Sequence, residues 1–269
     1  ILMDKETGKP FLAGENEDQE VTVEKEFTPE TADGTIDLEF VFDGIYTASR
    51  TVVAFEDLYK EDHHVATHTD INDEDQDVKY PDIRTHALDK ENGLNESVAD
   101  EEVTIVDTVS YTNLTVGNTY TITGKLMDKE TGEPLLVDGQ EVTASKEFTP
   151  EETEGTVDIE FTFNGSALKG KTTVAFETLT REDKVVGVHA DINDGEQTVY
   201  FPEVSTTASD KESGTDEGVF GKESTIVDVV KYNNLSEGVE YTVKGTLMDK
   251  ETGKPLLVND KEVVATKTF

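Results

Sequence analysis

The chain has 269 residues, of which 60 are Asp or Glu and 23 are Lys or Arg, for a net charge of −37. A field this negative repels phosphate backbones and anionic lipid, which argues against nucleic-acid partners and against membrane insertion. Cysteine is absent, so neither a disulfide nor a thiolate metal site can form, and 34% apolar residues spread in alternating runs suit small β-type cores.

In chain order, the first feature is a box, Leu-Met-Asp-Lys-Glu-Thr-Gly-x-Pro, at Leu2; it returns at Leu126 and Leu247, steps of 124 and 121 residues. Thr51-Val52-Val53-Ala54-Phe55-Glu56 returns as Thr172-Thr173-Val174-Ala175-Phe176-Glu177. Each copy is followed by His-x-Asp-Ile-Asn-Asp-x-x-Gln, at His68 to Gln76 and at His189 to Gln197. Pro81 and Pro202 each open a Pro-(Asp/Glu)-(Ile/Val)-x-Thr-x-Ala run, and Ile-Val-Asp-x-Val-x-Tyr-x-Asn-Leu occurs at Ile105 and Ile226. A period near 120 residues exceeds any solenoid repeat and matches a whole domain. The expected organisation is a partial repeat over 1–81, a complete repeat over 82–202 and a partial repeat over 203–269. The chain opens and stops inside motifs and reads as a piece of a longer repeat protein, so missing targeting signals say nothing about its location.

Within the complete repeat the apolar residues alternate with period two. Strands are expected over 83–88, 103–111, 119–127, 141–148, 156–163, 172–177, 184–191 and 197–201. Turn residues separate them, as at 128–134, 151–155 and 164–165. The fold class this implies is all-β: tandem Greek-key β-sandwiches of immunoglobulin-like or prealbumin-like type, one complete and two partial. Pro81 and Pro202 stiffen the short joints, so neighbouring repeats of the same chain are each repeat's partners in a rigid rod.

Taken together, the paired Val-Ala-Phe-Glu and His-x-Asp-x-x-Asp-x-x-Gln motifs, the Leu-Met-Asp box and the Pro-x-Ile-x-Thr opening resemble the VaFE repeats of Gram-positive surface proteins. Those domains form an intramolecular Thr–Gln ester bond. The likeness implies a condensation in which a first-strand Thr hydroxyl attacks a last-strand Gln carboxamide with loss of ammonia. In the complete repeat the matching positions are Thr85 and Gln197, with Glu177, His189, Asp194 and Asp191 assisting. The first repeat supplies Gln76, Glu56, His68 and Asp73 without a Thr partner, and the third supplies Thr206 without a Gln. The implied role is a stalk segment of an extracellular, cell-wall-anchored adhesin or pilus-like protein. Any host ligand would be bound by a tip domain elsewhere, and the self-crosslinking is a single turnover with no cofactor.

The residue types suit that chemistry. A Thr hydroxyl needs a base, for which His189 is the natural candidate, oriented by Asp194 or Asp191. The amide oxygen needs a donor, and a buried Glu177 or Asp194 with a raised pKa could serve as the neutral acid. Phe176 and Tyr200 are expected to shield the ester. A bond from the first strand to the last would carry tension past the core. Other readings compete. Lys146, in phase with Val142, Ala144 and Phe148, would face inward and form an isopeptide bond with Asn193. A ligand-binding sandwich module and a carboxylate-pair glycosidase are further rivals, but exposed aromatics are few and no cleft-forming insertion is present. The Asp70–Asp77 run lacks the sixth-position Gly and twelfth-position Glu of a calcium loop, so no metal site is expected.

Overall fold

The computed structural model describes residues 1–14, 18–221 and 223–269. The protein is all-β, and the described residues contain no α-helix. The chain divides into two compact units, Ile1–Glu203 and Val204–Phe269.

Eight strands carry the best-developed core: β1 (Asp82–Asp89), β2 (Val103–Thr112), β3 (Tyr120–Asp128), β4 (Thr143–Phe148), β5 (Gly155–Phe163), β6 (Thr172–Arg181), β7 (Lys184–His189) and β8 (Thr198–Tyr200). They form two sheets, ordered β5-β2-β1 and β4-β3-β6-β7, with β8 also pairing β6; every pairing is antiparallel. Period-two burial explains the layering. Ile83, Ala87, Ile105, Val109, Ile159 and Phe161 point from one sheet toward Ile122, Leu126, Ala175 and Leu179 of the other. Gly124 permits this approach, since a Cβ there would stand 2.5 Å from Ile159 Cδ1 and 2.6 Å from Phe161 Cζ.

Strand β6 runs four residues past the end expected from sequence, to Arg181. Glu182 (φ 50°) and Asp183 (φ 60°) both take left-handed backbone, which gives the two-residue turn whose twist suits a tight hairpin into β7. The Thr-rich run Thr178–Arg181 therefore stays in the ladder, with a bulge at Leu179/Thr180.

Ahead of β1, residues 1–80 build a smaller core from Leu2, Phe11, Ala13, Val21 and Val52, with Phe40, Phe42 and Tyr80 packed against it. Its main sheet is four-stranded, with Leu2–Asp4 between Lys9–Pro10 and Thr51–Ala54, and Asp77–Lys79 at the edge. A hairpin, Glu56–Lys60 with His63–His68, reproduces β6–β7. Residues 22–43, in phase with the β4–β5 region, carry no strand. In the second unit, Glu203–Asp210 pairs with Ile226–Asn233, and Thr242–Thr246 pairs with Val264–Thr268.

Candidate functional site

Along β1 the inward positions are Ile83, Thr85, Ala87 and Asp89, so a threonine hydroxyl is placed among apolar residues. Glu177 occupies an inward position of β6 between Ala175 and Leu179. Gln197 comes directly before β8 and is clamped through its backbone to both strands. The carbonyl of Glu196 accepts from Ala87 N at 2.9 Å, and that of Gln197 accepts from Ala175 N at 3.0 Å.

These backbone contacts bring side chains far apart in sequence into one cluster. Gln197 Nε2 donates to Thr85 Oγ1 at 2.9 Å across a separation of 112 residues, and to Glu177 Oε2 at 2.6 Å. The Thr85 hydroxyl donates to the same Glu177 oxygen at 3.1 Å. Thr85 is 5% exposed, Glu177 1% and Gln197 0%, so water does not compete for these groups.

Glu177 faces His189 directly across the β6–β7 hairpin. His189 Nε2 lies 3.1 Å from Asp194 Oδ2, while its Nδ1 is buried with no hydrogen-bond partner. Asp194 is fixed in turn by accepting from Glu196 N at 2.8 Å. Asp191 is exposed and accepts from Asn193 N at 2.9 Å; of the two acids weighed from sequence, Asp194 is the one beside the imidazole.

The cluster contains one acid that sequence reasoning passed over. Asp107, at an inward position of β2 and 0% exposed, lies beside Glu177 and Thr85. The signal was available: Asp107 shares the parity of Ile105 and Val109 in a period-two strand, so it must enter the core. With both acids ionised, neither Asp107 oxygen nor Glu177 Oε1 would have a donor, and two charges would be buried together. A single proton shared by the pair leaves one buried charge instead of two and joins Glu177 to one Asp107 oxygen by a hydrogen bond. Burial, reinforced by the Asp107 charge, pushes the Glu177 carboxyl up to about 10, so the proton resides on Glu177. Burial raises Asp107 as well, an effect partly offset by its contacts with Glu177 and Thr85.

The other sequence candidates fall as follows. In the first core, Gln76 Nε2 donates to Glu56 Oε2 at 2.9 Å and His68 Nε2 lies 3.1 Å from Asp73 Oδ2. Gln76 Oε1 is buried without a partner, as is Gln197 Oε1. Where β1 covers the middle site, the first has a groove lined by Leu2, Phe40, Phe42, Val52, Ala54 and Gln76. Thr206 is exposed on the strand Glu203–Asp210.

Phe176 and Tyr200 do not shield the cluster. Strand alternation turns Phe176 to the face opposite Glu177, and Tyr200 to the face opposite Val199 and Phe201. Core burial of Thr85, Glu177 and Gln197 does that work. Lys146 is exposed and donates to the Asp158 carbonyl at 3.1 Å, and Asn193 is exposed as well. Bridging that carbonyl on β5 draws the ammonium outward, and among the described residues no lysine is buried. Thr108 faces outward and donates to Asp158 Oδ1 at 2.8 Å.

Comparison with known proteins follows the same motifs. No curated protein sequence matches the chain. Similar solved structures include a bacterial adhesin from Mobiluncus mulieris containing intramolecular disulfide, isopeptide and ester bond cross-links. In one crystal form it is 14% identical, with 71% of this chain and 93% of that chain covered and a TM-score of 0.36. In a second form the identity is 15%, the coverage 69% and 92%, and the TM-score 0.38. A putative beta-galactosidase from Bacteroides fragilis is 16% identical over 41% of this chain and 17% of its own, with a TM-score of 0.32. The family model for the T-Q ester bond containing domain matches residues 2–80, 81–201 and 202–269. The chain belongs to the T-Q ester bond domain family.

Proposed function

We propose that this chain is a stalk segment of a bacterial surface adhesin or pilus-like protein. Its complete repeat, 82–202, is stabilised against force and proteolysis by an autocatalytic Thr85–Gln197 ester bond, and the partial repeats 1–81 and 203–269 each supply one partner of such a bond. The observation that carries this reading is the buried 2.9 Å approach of Gln197 Nε2 to Thr85 Oγ1. The nucleophile stands on the first strand of the sandwich and the carboxamide beside its last, with an acid touching both.

The proton path follows from the distances. The Thr85 Oγ–Gln197 Cδ bond forms and the Cδ–Nε2 bond breaks. Glu177 Oε2 is 3.1 Å from the hydroxyl that must lose a proton and 2.6 Å from the nitrogen that must gain one. It takes the hydroxyl proton as the shared proton moves to Asp107, then delivers a proton to the departing nitrogen, which leaves as ammonia. In this reading the His189 imidazole, held at Nε2 by Asp194, serves the developing oxyanion on Gln197 Oε1 through its Nδ1. Both of those atoms otherwise lack partners. The glutamine is consumed, so the chemistry is one turnover per repeat. The protein works outside the cell, where a chain lacking cysteine has no disulfide to hold a small core.

The reading is tested by the intact mass of the purified chain. The expected mass is short by one ammonia, restored to the formula value in Gln197→Ala, and the link is cleaved by alkaline hydroxylamine. A full formula mass in the wild-type chain overturns it. A deficit that hydroxylamine leaves intact assigns an amide instead.

A further inference from the structure

We infer that the Asn113 side chain latches the two cores of Ile1–Glu203 to each other and fixes their relative orientation at the Tyr80–Pro81 joint. This surface is separate from the ester site and uses a part of the Tyr-x-Asn-Leu motif for which the ester has no role.

Asn113 follows β2 with φ 61°, a left-handed conformation that asparagine tolerates better than other residues bearing a Cβ. The kink drives Leu114 into the middle core, where it is 0% exposed and its N–H is held by the Thr153 carbonyl at 2.9 Å. It also turns the Asn113 carboxamide away from its own sandwich, toward the chain segment that precedes it. There Nδ2 donates to the Arg50 carbonyl at 2.7 Å and to the Tyr80 carbonyl at 3.2 Å. Oδ1 accepts from Thr51 Oγ1 at 3.1 Å. A hydroxyl contact between Ser49 and Thr112 lies beside it.

One side chain thus spends both donors and an acceptor on the neighbouring core. Its targets are the joint itself. Tyr80 N–H is bound to the Arg50 carbonyl at 2.9 Å, and the Tyr80 ring packs edge-on to Phe42 at 6.3 Å between centroids. Tyr80 is therefore held by the first core through its ring and amide and by the second through its carbonyl. Only Pro81, whose φ is fixed by its ring, separates Tyr80 from β1. Domains joined by a linker move relative to one another by default, and here the rotations that would allow it are occupied. The motif recurs with Asn234 at φ 60°.

The test is a spin-label distance measurement on the full chain, which contains no other cysteine, with Lys9→Cys on the first core and Glu147→Cys on the second. The latch predicts one narrow distance distribution. Asn113→Gly keeps the backbone preference and removes the carboxamide, and Asn113→Asp replaces its donors by a charge facing two carbonyls. Both broaden the distribution about twofold or more with circular dichroism unchanged. Thr51→Val, which removes one bond outside the kink, broadens it less. A broad distribution in the parent chain, or an unchanged one in Asn113→Gly, overturns the latch. Intact mass on the same samples reports the ester separately, so failure of one leaves the other standing.

Discussion

Glu177 and His189 stand directly opposite each other across a hairpin, and Glu56 and His68 do the same 121 residues earlier in the chain. In both hairpins the histidine meets an aspartate five residues on, and the glutamate accepts from a glutamine amide. The difference between the two sites is the strand that covers them. Glu177 lies beneath β1 and is 1% exposed, whereas Glu56 is half-buried and its partner Gln76 lines a groove.

The buried acid should be indispensable. Glu177→Gln is nearly isosteric and keeps the packing, but it can neither accept the Thr85 proton nor deliver one to the leaving nitrogen. Cross-link formation, followed by the ammonia deficit over time, should slow by about 10²–10³-fold or more. Asp107→Asn should also slow it, because no neighbouring carboxylate can then take the shared proton as Glu177 accepts the one from Thr85. Rates unchanged in both variants would remove the acid pair from the mechanism.

The raised carboxyl has a consequence for stability in a chain that cannot cross-link. Unfolded, Glu177 ionises at its ordinary value of 4.5; folded, it keeps its proton up to about 10. Between those values the native state binds more protons, so stability falls as pH rises across the window and levels off above it. Thr85→Ala should therefore lose thermal stability from pH 5 to 9 relative to Thr85→Ala/Glu177→Gln, which lacks the titrating group. Parallel melting curves for the two variants would place the proton elsewhere.

Covalent closure should show in mechanics and in stability. Under tension, the wild-type middle sandwich should release no contour between Thr85 and Gln197. Gln197→Ala should release about 380 Å for the 112-residue separation. In solution the same variant should lose about 5 kcal/mol on the chain-entropy model for a loop of this length. Full-length extension of the wild-type sandwich in a single-molecule pulling trace would contradict the load-bypass role.

Much of this was legible in the residues, for identifiable reasons. Thr85, Glu177, His189 and Gln197 stood out because each sits in a motif that recurs at constant spacing, and period-two alternation placed the strands. Asp107 was equally visible by parity, yet an acid in an apolar strand makes sense only once Glu177 is seen beside it to share a proton. Phe176 and Tyr200 were misjudged because proximity in sequence to Glu177 and Gln197 puts a strand neighbour on the wrong face. Lys146 shares the parity of its apolar neighbours, but the Asp158 carbonyl draws its long side chain to the surface. The joint formed by Asn113, Arg50 and Tyr80 depends on tertiary contacts between segments 33 to 63 residues apart, which no local pattern announces.

The most direct measurement is peptide mapping of the tryptic digest under neutral conditions. A bond between Thr85 and Gln197 predicts that Thr85–Lys90 and Val185–Lys211 travel as one species, lighter than their sum by one ammonia, with fragment ions placing the junction at Thr85 and Gln197. Recovery of the two peptides separately, each at its unmodified mass, would contradict it.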